Sequence, residues 1–488
     1  MGIREETEVQ TSHALPKAGR NCWQVATANR AALIIDASDY FAVVREAFKN
    51  ARRQILLIGW DFDTRIYLEG SAGEKHTTLG RFVKNLCNEQ PGLEIQILKW
   101  NLGALKVLTR GSMILTTLRW IAHRRITLKL DSAHPVGASH HQKIIVIDDA
   151  IAFCGGIDVT SYRWDTREHL DDNPGRKLPN GSAYDPWHDI TMVVDGAAAK
   201  ALGQLSRDRW EHATGNKLPV GSSAADPWPE GLKPTFHNVP VAIARTRSEH
   251  DGCLEIRENE ALFVDMINSA RRFIYAENQY FASSVIAEAI ARRVQEEDPP
   301  EIVLVMPETA DGWLEQVAMD TARSKLMTRI ARVDRKKRFR VYSPVTAGGK
   351  PIYVHAKLTI VDDEVIRVGS SNMNNRSLGL DSECDLCIDA RLGNYQAVRS
   401  QITEIRLGLI AEHLGYDAEA LKATLSSGSL IAIIEALRGD GRSLQPITPD
   451  EHSAVANHIA EEGFFDPGDE DAPDYEPMTR KRWRFPMR

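Results

Sequence analysis

Two segments of this chain share one spacing: His141 and Lys143 followed by Asp148, and His355 and Lys357 followed by Asp362. Both read His-x-Lys-x4-Asp, and each enters an apolar run, Ile144–Ile147 and Leu358–Val361. A neutral imidazole can attack phosphorus and form a covalent intermediate, which splits one hard displacement into two easier ones. A second, protonated imidazole can donate to the leaving oxygen and then act as base on the incoming acceptor. Two lysines supply positive charge where negative charge develops. The pair therefore points to two half-sites meeting in one phosphoryl-transfer centre. Asp148 and Asp362 are expected to orient the partner half's histidine or to sit in structural ion pairs. This chemistry requires no metal and no cofactor.

The spacing within each motif constrains its backbone. Residues i and i+2 of a strand point to one face, so His141 and Lys143 can reach the same phosphate, as can His355 and Lys357. Ile145 and Ile147 continue that parity while Ile144 and Val146 face the other way, so the strand is expected to be buried on both faces. Downstream of the second motif, Gly369-Ser370-Ser371-Asn372 and the later Glu383 suit a phosphate. Ser370 and Asn372 share parity and offer hydroxyl and amide donors. Glu383 is expected to hold His355. The first half offers Gly155-Gly156-Ile157-Asp158, where small residues permit close approach but the donors differ. His140 has the opposite parity to His141 and is expected to point away from the site. His134 and Trp187 are candidates for its mouth, and the strand-end residues Glu277 or Gln279 for substrate contact.

These motifs need matching scaffolds, and the chain repeats itself. ARRQILLIGWDF (51–62) is echoed by ARRFIYAENQYF (270–281), each after an amphipathic helical stretch. Ala51 precedes His141 by 90 residues and Ala270 precedes His355 by 85. Matched order and similar spacing imply two similar halves. Strand patterns at 55–60, 94–100 and 126–130 alternate with helical ones near 77–90 and 105–123. The second half matches with strands at 273–278, 301–306 and 338–343 and helices near 283–297 and 313–334. The expected fold class is α/β: two similar α/β sandwich halves with a mixed sheet and one central site. The expected boundaries are an N-terminal extension (1–30), a first half (31–212), a connector (213–240), a second half (241–415) and a helical, charged C-terminal extension (416–488).

Composition narrows the class. Hydrophobic content of 43% with 26% charged residues is globular. A net charge of −7 and pI near 6.1 argue against a nucleic-acid partner. The opening stretch has no apolar core of a signal peptide, and no run approaches a membrane span, so a cytoplasmic protein is expected. Its tail, acidic over 466–476 and basic-aromatic over 479–488, is expected to dock on the protein or to touch anionic lipid at a membrane surface. Cys384 and Cys387 lie in an alternating apolar run and read as packed thiols rather than a metal pair.

Taken together, the paired motifs, the Gly-Ser-x-Asn run and the later Glu strongly resemble the phospholipase D superfamily. GGID (155–158), RWD (163–165), PWHD (186–189) and ENQYF (277–281) look like its eukaryotic-type branch. The resemblance covers roughly residues 30–415. It implies a bilobal fold and a phosphohistidine intermediate resolved by water or an alcohol, with glycerophospholipid as substrate. It further implies His141 as nucleophile and His355 as general acid. Synthase-type phosphatidyl transfer and a nuclease are the alternatives. The chain departs from many eukaryotic members in having no evident room for regulatory lipid-binding or calcium-binding front modules. The first half also lacks the Ser/Asn/Glu set, so His188 or Asp189 is expected to partner His141. Oligomeric state is not legible.

Overall fold

The computed structural model describes residues 14–449 except 70–76, 102–119, 121, 222–224, 311–312 and 426–427. Most of the helix expected near 105–123, the opening residues and the charged tail lie outside the described residues. The first half runs β1 (Gln24–Ile35), α1 (Ala37–Asn50), β2 (Gln54–Gly59), α2 (Leu79–Glu89), β3 (Glu94–Trp100) and β4 (Ile126–Asp131). It continues with β5 (Ile144–Ile147), β6 (Ile151–Gly155), β7 (Trp187–His188), β8 (Ile190–Asp195) and α3 (Gly196–Thr214). The second half runs β9 (Phe236–Arg247), β10 (Ile256–Arg257), α4 (Glu258–Ser269), β11 (Phe273–Asn278), α5 (Ser284–Arg293), β12 (Glu301–Val305), α6 (Trp313–Val333) and β13 (Phe339–Val345). Then come β14 (Tyr353–Val354), β15 (Lys357–Val361), β16 (Val365–Gly369), a π-helical turn (Arg376–Leu380), β17 (Glu383–Asp389) and α7 (Tyr395–Leu414). The described chain closes with α8 (Ala418–Leu425), α9 (Leu430–Leu437) and β18 (Ser443–Pro446). Among the described residues no helix is long and apolar enough to cross a membrane.

The two halves repeat one strand order. The first half is arranged β4-β3-β2-β5-β6-β8-β1 and the second β13-β12-β11-β15-β16-β17-β9. β1 and β9 then pair antiparallel, from Gln24 opposite Ile243 to Ala31 opposite Phe236, so the halves share one continuous mixed sheet. These seam strands reach into the stretches read as N-terminal extension and connector. Pro240 sits within β9 opposite Thr27. A proline lacks an amide donor and weakens the sequence signal of a strand.

Alternation along the strands sorts the core into layers. Ile144, Val146, Leu358 and Ile360 face one side, packed with α3, α7 and α9 in a core that both halves share. Ile145 and Ile147 face the other side, against α1 and α2. Val361 lies on that opposite face in the second half, with α4, α5 and α6. Cys384 and Cys387 fall on opposite faces as buried free thiols.

The motif aspartates hold this scaffold rather than the histidines. Asp148 accepts from the backbone amides of Arg52, Arg53 and Gln54, each at 2.8 Å, at the start of β2. Asp362 does the same for Arg271, Arg272 and Phe273 at the start of β11, at 2.6–2.8 Å. The expectation that they orient histidines or form ion pairs is thus corrected. Four strand residues between lysine and aspartate, Ile144–Ile147 and Leu358–Val361, carry each aspartate to the far end from its lysine. Asp148-Asp149 and Asp362-Asp363 are left-handed pairs, with φ of 51–59°, in the tight turns that follow. Aspartate tolerates this conformation better than most residues. Asp149 and Asp363 in turn pair with Arg207 of α3 and Arg406 of α7 at 2.7–2.9 Å.

Asp148→Ala would leave those amides without their acceptor, at a cost of about 1–3 kcal/mol. The expected result in chemical denaturation is a lower midpoint, with turnover per folded molecule retained. A turnover loss without a stability loss would put Asp148 back in the chemistry.

Candidate active site

Strand pairing brings the motifs to one edge of the sheet. β5 runs antiparallel to β2, so His141 and Lys143 lie beyond the C-terminal end of β2. β15 runs antiparallel to β11, with Lys357 opposite Asn278. Ligands of open α/β sheets commonly bind at that end. Backbone bonds then cross between the halves. The His141 amide donates to Ser382 O at 3.0 Å, and the His355 amide donates to His188 O at 2.7 Å.

The side chains cross as well. His141 Nδ1 lies 2.9 Å from both carboxylate oxygens of Glu383. His355 Nδ1 lies 2.7 Å from Asp189 Oδ2. The expected partners are therefore exchanged: Glu383 holds His141, not His355, and Asp189 holds His355, not His141. Asp189 precedes β8 as Glu383 opens β17, so the first half does possess a counterpart of Glu383. Gly156 stands where Ser370 stands in the second half. The Gly156 and Ser370 amides donate to Ile190 O and Cys384 O at 2.9 and 3.1 Å. Ser370 Oγ donates to Glu383 at 2.5 Å, and Ser377 Oγ from the π-helical turn donates to it at 2.6 Å. At Gly156 a Cβ would lie only 2.1 Å from Asp189 Oδ1, so the glycine makes room for the carboxylate.

The lysines are held differently. Lys143 Nζ is 3.2 Å from Asp158 Oδ2 and donates to its own half's His141 O at 3.1 Å. Lys357 Nζ donates to His355 O at 2.5 Å and to Gln279 Oε1 at 3.1 Å. Asn372, the positional match of Asp158, donates to that same Gln279 oxygen at 3.4 Å. Lys143 thus has a carboxylate counter-charge and Lys357 rests on neutral oxygens.

Burial sets the protonation states. It lowers both histidines well below the usual imidazole range, helped at His141 by the charges of Lys143 and Lys357. At His355 the helping charges are those of Lys357, Arg163 and Lys143, so each half's cations act on the other half's ring. Lys357 is lowered to about 7 by burial, with Asp189 opposing. Burial raises Asp189 to about 7 against Lys357, and Glu383 to about 8 against Lys143 and the two serines.

Aromatic rings frame the opening. Trp60 packs edge-on to His141 and stacks on Trp100, whose Nε1 donates to His134 Nε2 at 3.1 Å. On the other side Trp187 stacks on Tyr353 and leans on His355. His134 and Trp187 thus fall at the mouth as expected. His140 is turned away and buried, beside Asp131 at 3.1 Å and Ser382 at 3.2 Å.

His188 meets His355 through its backbone carbonyl only; its ring is held elsewhere. Its Nε2 is 2.7 Å from Glu277, and its Nδ1 is 3.0 Å from Asp36 and 3.1 Å from Glu412. Glu277 also meets His413 at 3.0 Å, and His169 joins Asp165 and Glu412. Burial opposes charge on His188, but Asp36 and Glu277 outweigh it and hold the ring protonated. The same contest raises His169 to about 9. Asp36, His169, His188 and Glu412 bring their donors close enough to hold a cation, as do His188, Glu277 and His413. Carboxylates at Asp36, Asp165, Glu277 and Glu412 already face cations at His169, His188, Arg167 and Arg176. A divalent ion would have to displace the imidazole protons. Asp36, Glu412 and His413 carried no motif that sequence reasoning could seize. Asp36 does show strain, with φ of 64°, and its amide donates to Asp189 O at 2.8 Å.

A family model described as phospholipase D matches residues 47–226 and 343–437, more than half of the chain and both motifs. The chain belongs to the phospholipase D family. It is 26% identical to phospholipase D A of Dictyostelium discoideum, over 78% of this chain and 35% of that protein. It is 24% identical to phospholipase D alpha 4 of Arabidopsis thaliana, over 84% of this chain and 68% of that one. The chain thus spans about a third of the Dictyostelium relative's length. Phosphatidylserine synthase of Haemophilus influenzae Rd KW20 shares the fold, with a TM-score of 0.53 at 11% identity, over 88% of this chain and 98% of that one.

Two outcomes follow from this geometry. Gly156→Ala should push Asp189 off His355 and lower kcat, with a structural cost of about 1–3 kcal/mol from overpacking. Unchanged kcat would show that the contact is dispensable. As pH rises past about 7, Lys357 loses its charge and Asp189 gains one. Both changes make the pocket more negative and disfavour a phosphate anion. The alkaline limb of kcat/KM should therefore begin near 7 and move upward in kcat, because bound anion holds the protons. Coincident limbs would contradict this.

Proposed function

We propose that the protein is a phospholipase D-type phosphodiesterase that releases the head group of a glycerophospholipid and leaves phosphatidic acid. The observation that carries this reading is the pair of buried imidazoles, each tied by Nδ1 to a carboxylate of the other half and flanked by lysine. A ring held by Nδ1 presents Nε2 to the cleft. His141 is the more open ring, its side chain 15% exposed against 6% for His355, which favours it as nucleophile. Its Nε2 bonds to phosphorus as the bond to the head-group oxygen breaks. Attack through Nε2 keeps the ring's proton on Nδ1, so Glu383 acts in its ionised form, accepting from Nδ1 and stabilising the positive charge that the phosphorylated ring acquires; because burial raises Glu383 to about 8, this form grows as pH rises. His355 gives its Nε2 proton to the departing oxygen and is recharged through Asp189, which burial keeps protonated near neutral pH. Water or an alcohol then attacks phosphorus, His355 takes its proton, and the bond to His141 breaks. Lys143, Lys357 and Asn372 surround the phosphoryl oxygens, and Ser370 and Ser377 fix Glu383. Asp158 fixes Lys143.

A membrane surface is the expected source of substrate. Val136 is fully exposed in the loop that carries His134 to the mouth, and Tyr162 is exposed on the loop that follows Asp158. Such apolar points suit shallow contact with lipid.

The test is a panel of short-chain phosphatidylcholine, phosphatidylethanolamine, phosphatidylserine and phosphatidylglycerol, with and without a primary alcohol, read by mass spectrometry. Phosphatidic acid should appear with water, and the phosphatidyl alcohol should replace part of it. Both products should vanish in His141→Asn and His355→Asn, which is a loss of several orders of magnitude for removed nucleophilic or acid catalysis. A variant that keeps full turnover would refute its assigned role.

A further inference from the structure

Arginine is costly to bury, and this protein pairs its buried arginines. Arg176, Arg207, Arg209, Arg323, Arg367 and Arg406 each meet a carboxylate. Arg163 does not. It is 9% exposed, yet no ion pair joins it to a carboxylate among the described residues. Its Nε is fully buried without a hydrogen-bond partner. What it has instead is the face of Trp187, with the guanidinium carbon 4.3 Å from the ring centroid.

That location matters because Trp187 is a wall of the site. Its ring lies 5.2 Å from the His355 ring and stacks on Tyr353 at 4.6 Å. Tyr353 OH accepts from Gln279, whose carbonyl oxygen holds Lys357. Trp187 Nε1 is a second buried donor without a partner. An aromatic face offsets only part of the loss of hydration around a guanidinium, and it offers no acceptor to the N–H groups. A planar fork with free donors beside the proton-transfer histidine is shaped for an anionic oxygen.

We infer that Arg163 is a substrate-binding residue of this site, whose guanidinium, braced on Trp187, takes an anionic oxygen of the bound phosphodiester. The inference rests on the phosphodiesterase reading for the identity of the ligand and on the geometry for the residue. That oxygen can come from the scissile phosphate or from an acidic group on the head group. The field of Arg163 already reaches the neighbouring groups, depressing His355 and Lys357 and easing ionisation of Asp189.

Calorimetric titration with inorganic phosphate tests the residue without turnover. R163Q should weaken phosphate binding by about tenfold or more, the equivalent of one charge-assisted contact, with the thermal midpoint of the full chain unchanged. Equal affinity in folded R163Q, or no phosphate affinity in the wild type, overturns the inference. Should R163Q fail to fold, R163K decides. Lysine keeps the charge and loses the fork, so affinity drops severalfold if the guanidinium holds the anion and stays level if it merely packs on Trp187. Kinetics with dioctanoyl phosphatidylcholine and dioctanoyl phosphatidylserine then locate the oxygen. A KM raised equally for both in R163Q assigns Arg163 to the scissile phosphate, and a rise confined to phosphatidylserine assigns it to the head-group carboxylate. If the wild type cleaves no lipid but still binds phosphate through Arg163, the lipid reading fails and the anion site stands.

Discussion

Each motif histidine is fixed by a carboxylate that belongs to the opposite half. Glu383 lies at the start of β17 and reaches His141; Asp189 lies before β8 and reaches His355. Neither half supplies the carboxylate of its own motif histidine. Everything else in the architecture serves this exchange. The seam strands place the halves, the short crossing contacts at Ser382 and His188 set the approach of the backbones, and the glycine at position 156 leaves space for the carboxylate.

The exchange is made in a buried setting, and that explains the web behind it. His188 bonds by its carbonyl to the His355 amide while its ring is locked between Glu277, Asp36 and Glu412. Asp36 comes from the first half, and Glu277 and Glu412 come from the second, Glu412 by way of α7. Buried charges of this kind add little net stability, but removing one partner strands the others. The web is therefore better understood as a fixture that specifies one relative placement of the halves. The core on the face covered by α3 and α7 does the same with apolar side chains, because both halves contribute to it.

Much of this was legible in the residues. The repeat, the alternation of strands and helices and the two motifs gave the halves and their common edge, and β3 and β11 fall where the patterns put them. The pairing across the site was not legible. Residue order assigns Glu383 to its own half's histidine, and only the pairing of the two halves across β1 and β9 reveals that it reaches across. The aspartates were misread for a different reason. A strand advances about 3.3 Å per residue, so five steps from Lys143 already carry Asp148 well outside hydrogen-bond range of the phosphate. The spacing contained that answer. Asp36, Glu412 and His413 matter through where the chain folds them, and no local pattern marks them; Arg163 stands in the RWD run, whose pattern alone gives it no role. Pro240 hid the strand on which the seam depends.

The seam has a mechanical meaning. Twin-lobed enzymes often close around their ligands by rotating one lobe about a flexible joint. Here the joint is an antiparallel ladder running from Gln24–Ile243 to Ala31–Phe236. Rotation about it would shear backbone hydrogen bonds and split a common core, so the two lobes form a single stiff body. That construction holds the spacing between the histidines. Any ligand must be drawn up to that gauge, and adjustment to its size falls to side chains and loops around the rim.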